Sequence, residues 1–185
     1  MQVFKGAVTV FCLVVGISLP ATAQSVGSVD IEQLLTDLAN PETKNWESVE
    51  RQIRNEWSKS GSASMDFLLQ RGQKALDEGN FDLALEHLTA LVDHAPDFAE
   101  GWNARATALF NKELYGPAMA DLARALDLNP RHFGAMTGLA VILQSVGMYE
   151  DAMEAWRLVK AAHPHRPEMQ EAMDALDTLL GGSTL

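Results

Sequence analysis

The sequence holds one cysteine, Cys12, in 185 residues. A lone thiol excludes an internal disulfide and any metal site built on several cysteine ligands. The motifs of three large enzyme classes are missing too: no Gly-rich phosphate loop, no His-Glu-x-x-His and no Gly-x-Ser-x-Gly elbow. No Asn-X-Ser/Thr acceptor occurs, since Asn40 and Asn129 are each followed by proline. Basic residues are scarce: 14 Lys and Arg against 25 Asp and Glu give a net charge of −11. Such a surface repels nucleic acid and anionic headgroups. The expectation is a chain that is not an enzyme and carries no cofactor or metal.

Long apolar runs are also lacking, apart from one near the start. In "MQVFKGAVTVFCLVVGISLPATA" a single positive charge, Lys5, precedes an apolar stretch from Ala7 to Leu19. Pro20 and Ala-Thr-Ala follow, the layout of a secretory signal cut after Ala23. A spanning helix needs about 20 apolar residues, and this stretch is shorter and interrupted by Thr9, Gly16 and Ser18. Cys12 lies inside the stretch rather than at the cut, which argues against a lipid anchor. Residues 1–23 are thus expected to be a cleaved signal peptide, with no stable membrane insertion afterwards. A cysteine-free remainder long enough to stand on its own core fits the bacterial periplasm.

What the sequence does have is a period. Pro96, Pro130 and Pro164 stand 34 residues apart, and other columns keep the same step. Leu68, Trp102 and Met136 share one column, and the small residues Gly72, Ala106 and Ala140 the next. Phe81, Tyr115 and Tyr149 are aromatic; Ala84, Ala118 and Ala152 are identical. Leu88, Leu122 and Trp156, then Leu91, Ala125 and Val159, complete the set. Trp102, Ala106, Leu109 and Phe110 form a helical stripe, and Ala118, Leu122, Ala125 and Leu126 form a second one. Each unit therefore reads as two helices that approach closely at small residues and stop at a proline. Gly79 and Gly147 permit the tight turn between them; the middle unit has Glu113 there and Pro117 in the next first turn.

These columns resemble the tetratricopeptide repeat. The resemblance implies an all-α, right-handed αα-solenoid of three units, at 65–98, 99–132 and 133–166. Arg71 and Arg105 stand where leucine is frequent and read as packing and pairing residues. It further implies that the first helix of each unit lines a concave groove for a segment of another protein. By position the lining would be Asp66, Leu69, Gln73 and Asp77, then Asn103, Thr107, Phe110 and Asn111, then Thr137, Val141 and Gln144. Gly134 and Gly138 stand where members that hold a chaperone tail carry cations, so a free terminal carboxylate is a poor ligand. The partner implied is a protein or peptide segment, here of another envelope protein.

Flanking segments are expected to close the ends of the stack. Met169, Ala172, Met173, Leu176, Leu179 and Leu180 give one stripe, a capping helix at 167–180 stopped by Gly181-Gly182, with a tail at 181–185. Residues 24–64 read as an N-terminal helical cap and loop. Ile31, Leu34, Leu35 and Leu38 form a short helix opened by Asp30 with Gln33 in a capping box. Trp46, Val49, Ile53 and Trp57 face one side of a second helix, and Ser64 is the expected N-cap of the helix after it. Tryptophans there read as core. His132, His163 and His165 fall at the corners between units and read as exposed loop residues, with metal binding as the alternative. His87 and His94 read as surface residues. Self-association through Trp46, Trp57 or the C-terminal helix is a further alternative.

Overall fold

The computed structural model describes residues 29–182. The expected signal peptide and residues 183–185 of the tail lie outside the described residues. Among those described, the chain is all α-helix: α1 Ile31–Ala39, α2 Trp46–Trp57, α3 Ala63–Asp77, α4 Phe81–His94, α5 Ala99–Asn111, α6 Tyr115–Leu128, α7 Phe133–Ser145, α8 Tyr149–Ala162 and α9 Pro167–Gly182. Helices α3/α4, α5/α6 and α7/α8 pack as pairs, and α4 on α5, α6 on α7 and α8 on α9 continue the stack. Ala84, Ala118 and Ala152 are fully buried, as are Leu91, Ala125 and Val159, so the periodic columns form the seams between helices. This is the solenoid that the period implied.

The turns inside the three pairs share one geometry. Gly79, Glu113 and Gly147 have φ of 71°, 59° and 80°. Glu113 thus adopts the left-handed conformation that its glycine counterparts adopt, and Pro117 does not replace that turn. A residue with a Cβ pays about 1–2 kcal/mol there. Across the corners, Ala95, Asn129 and His163 each donate their N–H to the last turn of α4, α6 or α8. All three leave the helical region before the following proline.

Arg105 is a pairing residue, as read. Its Nε and Nη2 each donate at 2.7 Å to the Asp121 carboxylate, tying α5 to α6, while the guanidinium lies 4.9 Å from the Trp102 ring. Arg71 instead sits over Phe67, which is 56% exposed. Two helix ends differ from expectation. α9 runs through Gly181 to Gly182, because glycine carries a propensity penalty of about 1 kcal/mol but does not forbid helical angles. α3 begins at Ala63 with Ser62 as its N-cap, so Ser64 is already inside the helix. Asp30 does cap α1, accepting from the Gln33 N–H at 3.1 Å, but the Gln33 amide turns to Asp37 and closes no capping box.

The larger correction concerns α1 and α2. They do not cap the first repeat. Leu35, Leu38, Val49 and Ile53 bury themselves with Phe133, and Ala162 packs on the same cluster. The hairpin lies along the corners where α6 turns into α7 and α8 into α9. Trp46 stacks on His165 at 5.5 Å and meets His163 edge-on at 5.6 Å. Trp57 stacks on His132 at 4.5 Å and tilts against Phe133 at 4.9 Å. Each indole thus stacks on a histidine of this same chain and is half-buried. His132 and His163 are buried, 2% and 0% exposed, and are not loop-surface residues. His165 is half-buried, with Nε2 at 3.0 Å from the Asn40 carbonyl. His87 is half-buried as well, and His94 is exposed. The physical reason is complementarity: an amphipathic hairpin finds an aromatic edge that would otherwise face water.

Charges fasten the hairpin. Arg131 donates to Glu32 at 2.7 Å across the edge. Glu50 Oε2 lies 3.2 Å from His163 Nε2, close but without hydrogen-bond alignment, and its Oε1 lies 3.8 Å from Arg166. Burial pushes the His163 imidazole below its ordinary pKa, and Glu50 only partly draws it back. Burial alone would raise Glu50, but Arg54 and His163 outweigh it and hold that carboxyl below its ordinary value.

Candidate functional site

The first helices stand side by side, α3 against α5 and α5 against α7, so they form one wall of the solenoid. Between α5 and α7 this wall opens into a cavity of about 200 Å³. Asn103, Ala106, Thr107 and Phe110 line it from α5, Leu122 from α6, and Gly134, Gly138, Val141 and Ile142 from α7. The two glycines matter because they leave the space open. A methyl added at Gly138 would meet Leu122 at 3.1 Å, and one at Gly134 would meet the His132 ring at 3.3 Å. Phe110, Leu122, Val141 and Ile142 make the floor apolar, with the Asn103 amide and Thr107 hydroxyl as its polar groups.

The expected groove residues separate into groups. Asn103, Thr107, Phe110 and Val141 come together at this cavity. Asn111 is exposed beside them, its amide donating to the Thr107 carbonyl at 2.8 Å. Thr107 in turn donates to the Asn103 carbonyl at 3.1 Å. Thr137 is half-buried and donates to Phe133 O at 2.8 Å, so its hydroxyl proton is spent inside α7. Gln144 accepts from the Trp156 indole at 3.3 Å and braces α7 on α8.

The first-repeat residues do not reach this cavity; Asp66, Leu69 and Gln73 meet at a separate open hollow of about 810 Å³ between α2 and α3. Leu69 is 2% exposed and belongs mainly to the core between α3, α4 and α5, while also reaching the floor of that hollow. Its place on the helix points between neighbours, and an apolar side chain takes the dry side. Asp66 accepts from both the N–H and the hydroxyl of Ser60, at 2.7 and 2.6 Å, which holds its carboxyl below its ordinary pKa. It anchors the loop from α2. Gln73 stands between that hollow and a smaller cavity of about 90 Å³ that it lines with Trp57, Glu100 and His132. Asp77 is exposed at the end of α3. Ala106, Leu122 and Ile142 at the α5/α7 cavity, and Glu100 beside Gln73, were not anticipated. The i, i+4 spacing of Gly134 and Gly138 was visible, but the depth it opens depends on Leu122 of another helix. Among the described residues no group of three or more His, Cys, Asp or Glu is placed to hold a metal ion, and no helix is long and apolar enough to cross a membrane.

Residues 69–132 match the family model described as Tetratricopeptide repeat. A TPR repeat-containing protein of Rhizobium etli is 37% identical over 136 residues, covering 74% of this chain and 67% of that protein. The chain belongs to the tetratricopeptide repeat family. Solved structures with the same fold include the first TPR of Spaghetti (RPAP3) bound to the HSP90 peptide SRMEEVD. That domain is 21% identical with a TM-score of 0.61, covering 63% of this chain and 95% of its own. The TPR2B domain of yeast Sti1, in a complex with pHsp70, is 20% identical with a TM-score of 0.60, covering 64% and 99%. In this TPR protein, α3/α4, α5/α6 and α7/α8 are the stacked pairs, and the hairpin α1–α2 is an addition laid along their edge.

Proposed function

We propose that this TPR protein is an exported, non-catalytic scaffold of the bacterial periplasm that holds a segment of another envelope protein against its inner wall. One apolar side chain of that segment sits in the cavity between α5 and α7. The cavity itself carries the reading: it joins an apolar floor to a side-chain amide and a hydroxyl, the combination that anchors a side chain and an extended backbone together. One solved TPR domain of this fold holds an HSP90 peptide and another is in a complex with pHsp70, which supports a peptide as the class of ligand. Gly134 and Gly138 supply no cation there, so the ligand is an internal segment and not a free carboxylate terminus. Export rests on the composition of residues 1–23.

The test is capture from a periplasmic extract by the wild-type chain and by Gly138→Leu, whose side chain enters the cavity. Partners should be recovered by the wild type and lost, by about tenfold or more, with the variant. Equal recovery by both would refute the site. Expression of the full chain followed by fractionation and mass measurement should find the protein in the periplasm beginning at Gln24; a cytoplasmic, uncut product would refute export.

A further inference from the structure

Asn103 stands at the end of a part-buried hydrogen-bond chain that starts at His132, whose ring the N-terminal hairpin covers. His132 caps α7 by accepting the Ala135 N–H on Nδ1 at 3.1 Å, which places the ring proton on Nε2. Nε2 lies 2.9 Å from Glu100 Oε2 and donates to it. The same carboxylate oxygen accepts Nδ2 of Asn103 at 3.3 Å. Trp57 covers the imidazole at 4.5 Å, and the His132 and Glu100 side chains are only 3% and 15% exposed. Water therefore competes poorly for these bonds. A carboxylate accepts and does not donate, so Asn103 must turn its NH₂ toward Glu100. That bond takes one of the two Nδ2 hydrogens, and Nδ2 also lies 3.6 Å from where a Cβ at Gly134 would stand; Oδ1 accepts from no described residue, and Asn103 borders the cavity.

We propose that Trp57, His132 and Glu100 are positioning residues that lock Asn103 with its carbonyl oxygen toward the groove. This point of the wall then presents a fixed carbonyl acceptor to an N–H donor. The ligand class is an extended segment that seats a large apolar side chain in the cavity and offers an adjacent backbone N–H to Asn103. An amide able to turn over would place its oxygen on either side; the chain fixes that side, and the Glu100 charge behind it disfavours a ligand carboxylate at the remaining N–H. The inference rests on the groove reading and sharpens it.

The experiment begins with short random peptides selected by display on the wild-type chain, keeping those that Gly138→Leu no longer binds. In one such peptide each backbone amide is replaced in turn by an ester, which removes one N–H and keeps the shape. One ester, next to the apolar anchor, should weaken wild-type binding by about tenfold, and binding to Asn103→Ala by less than about twofold. His132→Asn retains a side chain able to cap α7 but too short for Glu100, and Glu100→Gln lets Asn103 turn over without disturbing the core. In both, and in Trp57→Leu, the ester penalty should fall to about threefold or less although Asn103 remains. Circular dichroism and the urea midpoint verify that each variant is folded, and Glu100→Gln decides the matter if a core variant is not. A groove-bound peptide with no sensitive ester, or a penalty that survives Glu100→Gln unchanged, overturns the inference and leaves the groove standing. If no selected peptide is blocked by Gly138→Leu, the groove reading fails and this inference falls with it.

Discussion

Replacing Gly72 by alanine separates the packing of this solenoid from the intrinsic preference of its helices. Gly72 lies inside α3, where alanine is favoured over glycine by about 1 kcal/mol. Its counterparts Ala106 and Ala140 already carry a Cβ. At Gly72, however, an added Cβ would stand 2.5 Å from both Cγ and Cδ2 of Leu88 and 3.1 Å from Cδ1. Leu88 is 0% exposed and enclosed by the first core, so its branch point has nowhere to retreat. Overpacking of this kind costs about 1–3 kcal/mol, and contact with Cγ rather than a flexible tip argues for the upper end. The net expectation is destabilisation by about 2 kcal/mol. Gly116→Ala is the matched control, since a Cβ there meets nothing within 4 Å and the site lies in the first turn of α6; it should stabilise by about 0.5 kcal/mol. Urea unfolding followed by helical circular dichroism measures both through the transition midpoint. A Gly72→Ala chain as stable as Gly116→Ala would refute the close approach of α3 and α4.

Three further outcomes are expected. Glu113→Gly should raise stability by about 1 kcal/mol in the same assay, because it relieves the left-handed strain at φ 59°, whereas Gly147→Ala should lower it by a similar amount. Asp121→Ala should cost about 3–5 kcal/mol by leaving the Arg105 guanidinium unpaired between α5 and α6. Lys112→Ala, which opens the pair with the exposed Asp82, should cost under about 1 kcal/mol. The third outcome concerns pH. His163 has a native pKa below its ordinary 6.5, so the unfolded chain takes up a proton that the native one refuses. Stability is complete above about pH 6.5 and falls as pH drops toward the lower native value. Glu50, held below 4.5, contributes stability above that value and loses it as pH falls through its own native pKa. Chemical unfolding midpoints across this range should show the first decline in the wild type and its loss in His163→Leu; an unchanged decline in the variant would refute the assignment.

The sequence by itself determined the solenoid. A 34-residue step repeated over seven columns leaves little freedom, because side chains at helical spacing that must all be buried admit one way of stacking. It also supplied Asn103, Thr107, Phe110 and Val141, since position within the repeat decides which face a residue occupies. Tertiary structure alone decided the rest. Whether Leu69 looks into the groove or the core depends on how closely α3 stands to α4 and α5, and the depth at Gly138 depends on Leu122 from α6. The hairpin shows the limit most plainly. Its amphipathic pattern stated that one side of α2 would be buried, but Trp57 meets His132 and Trp46 meets His165 only after three repeats have stacked to form a continuous edge. Local periodicity fixes which face seeks a partner, and the partner is fixed by the shape that the whole chain has made.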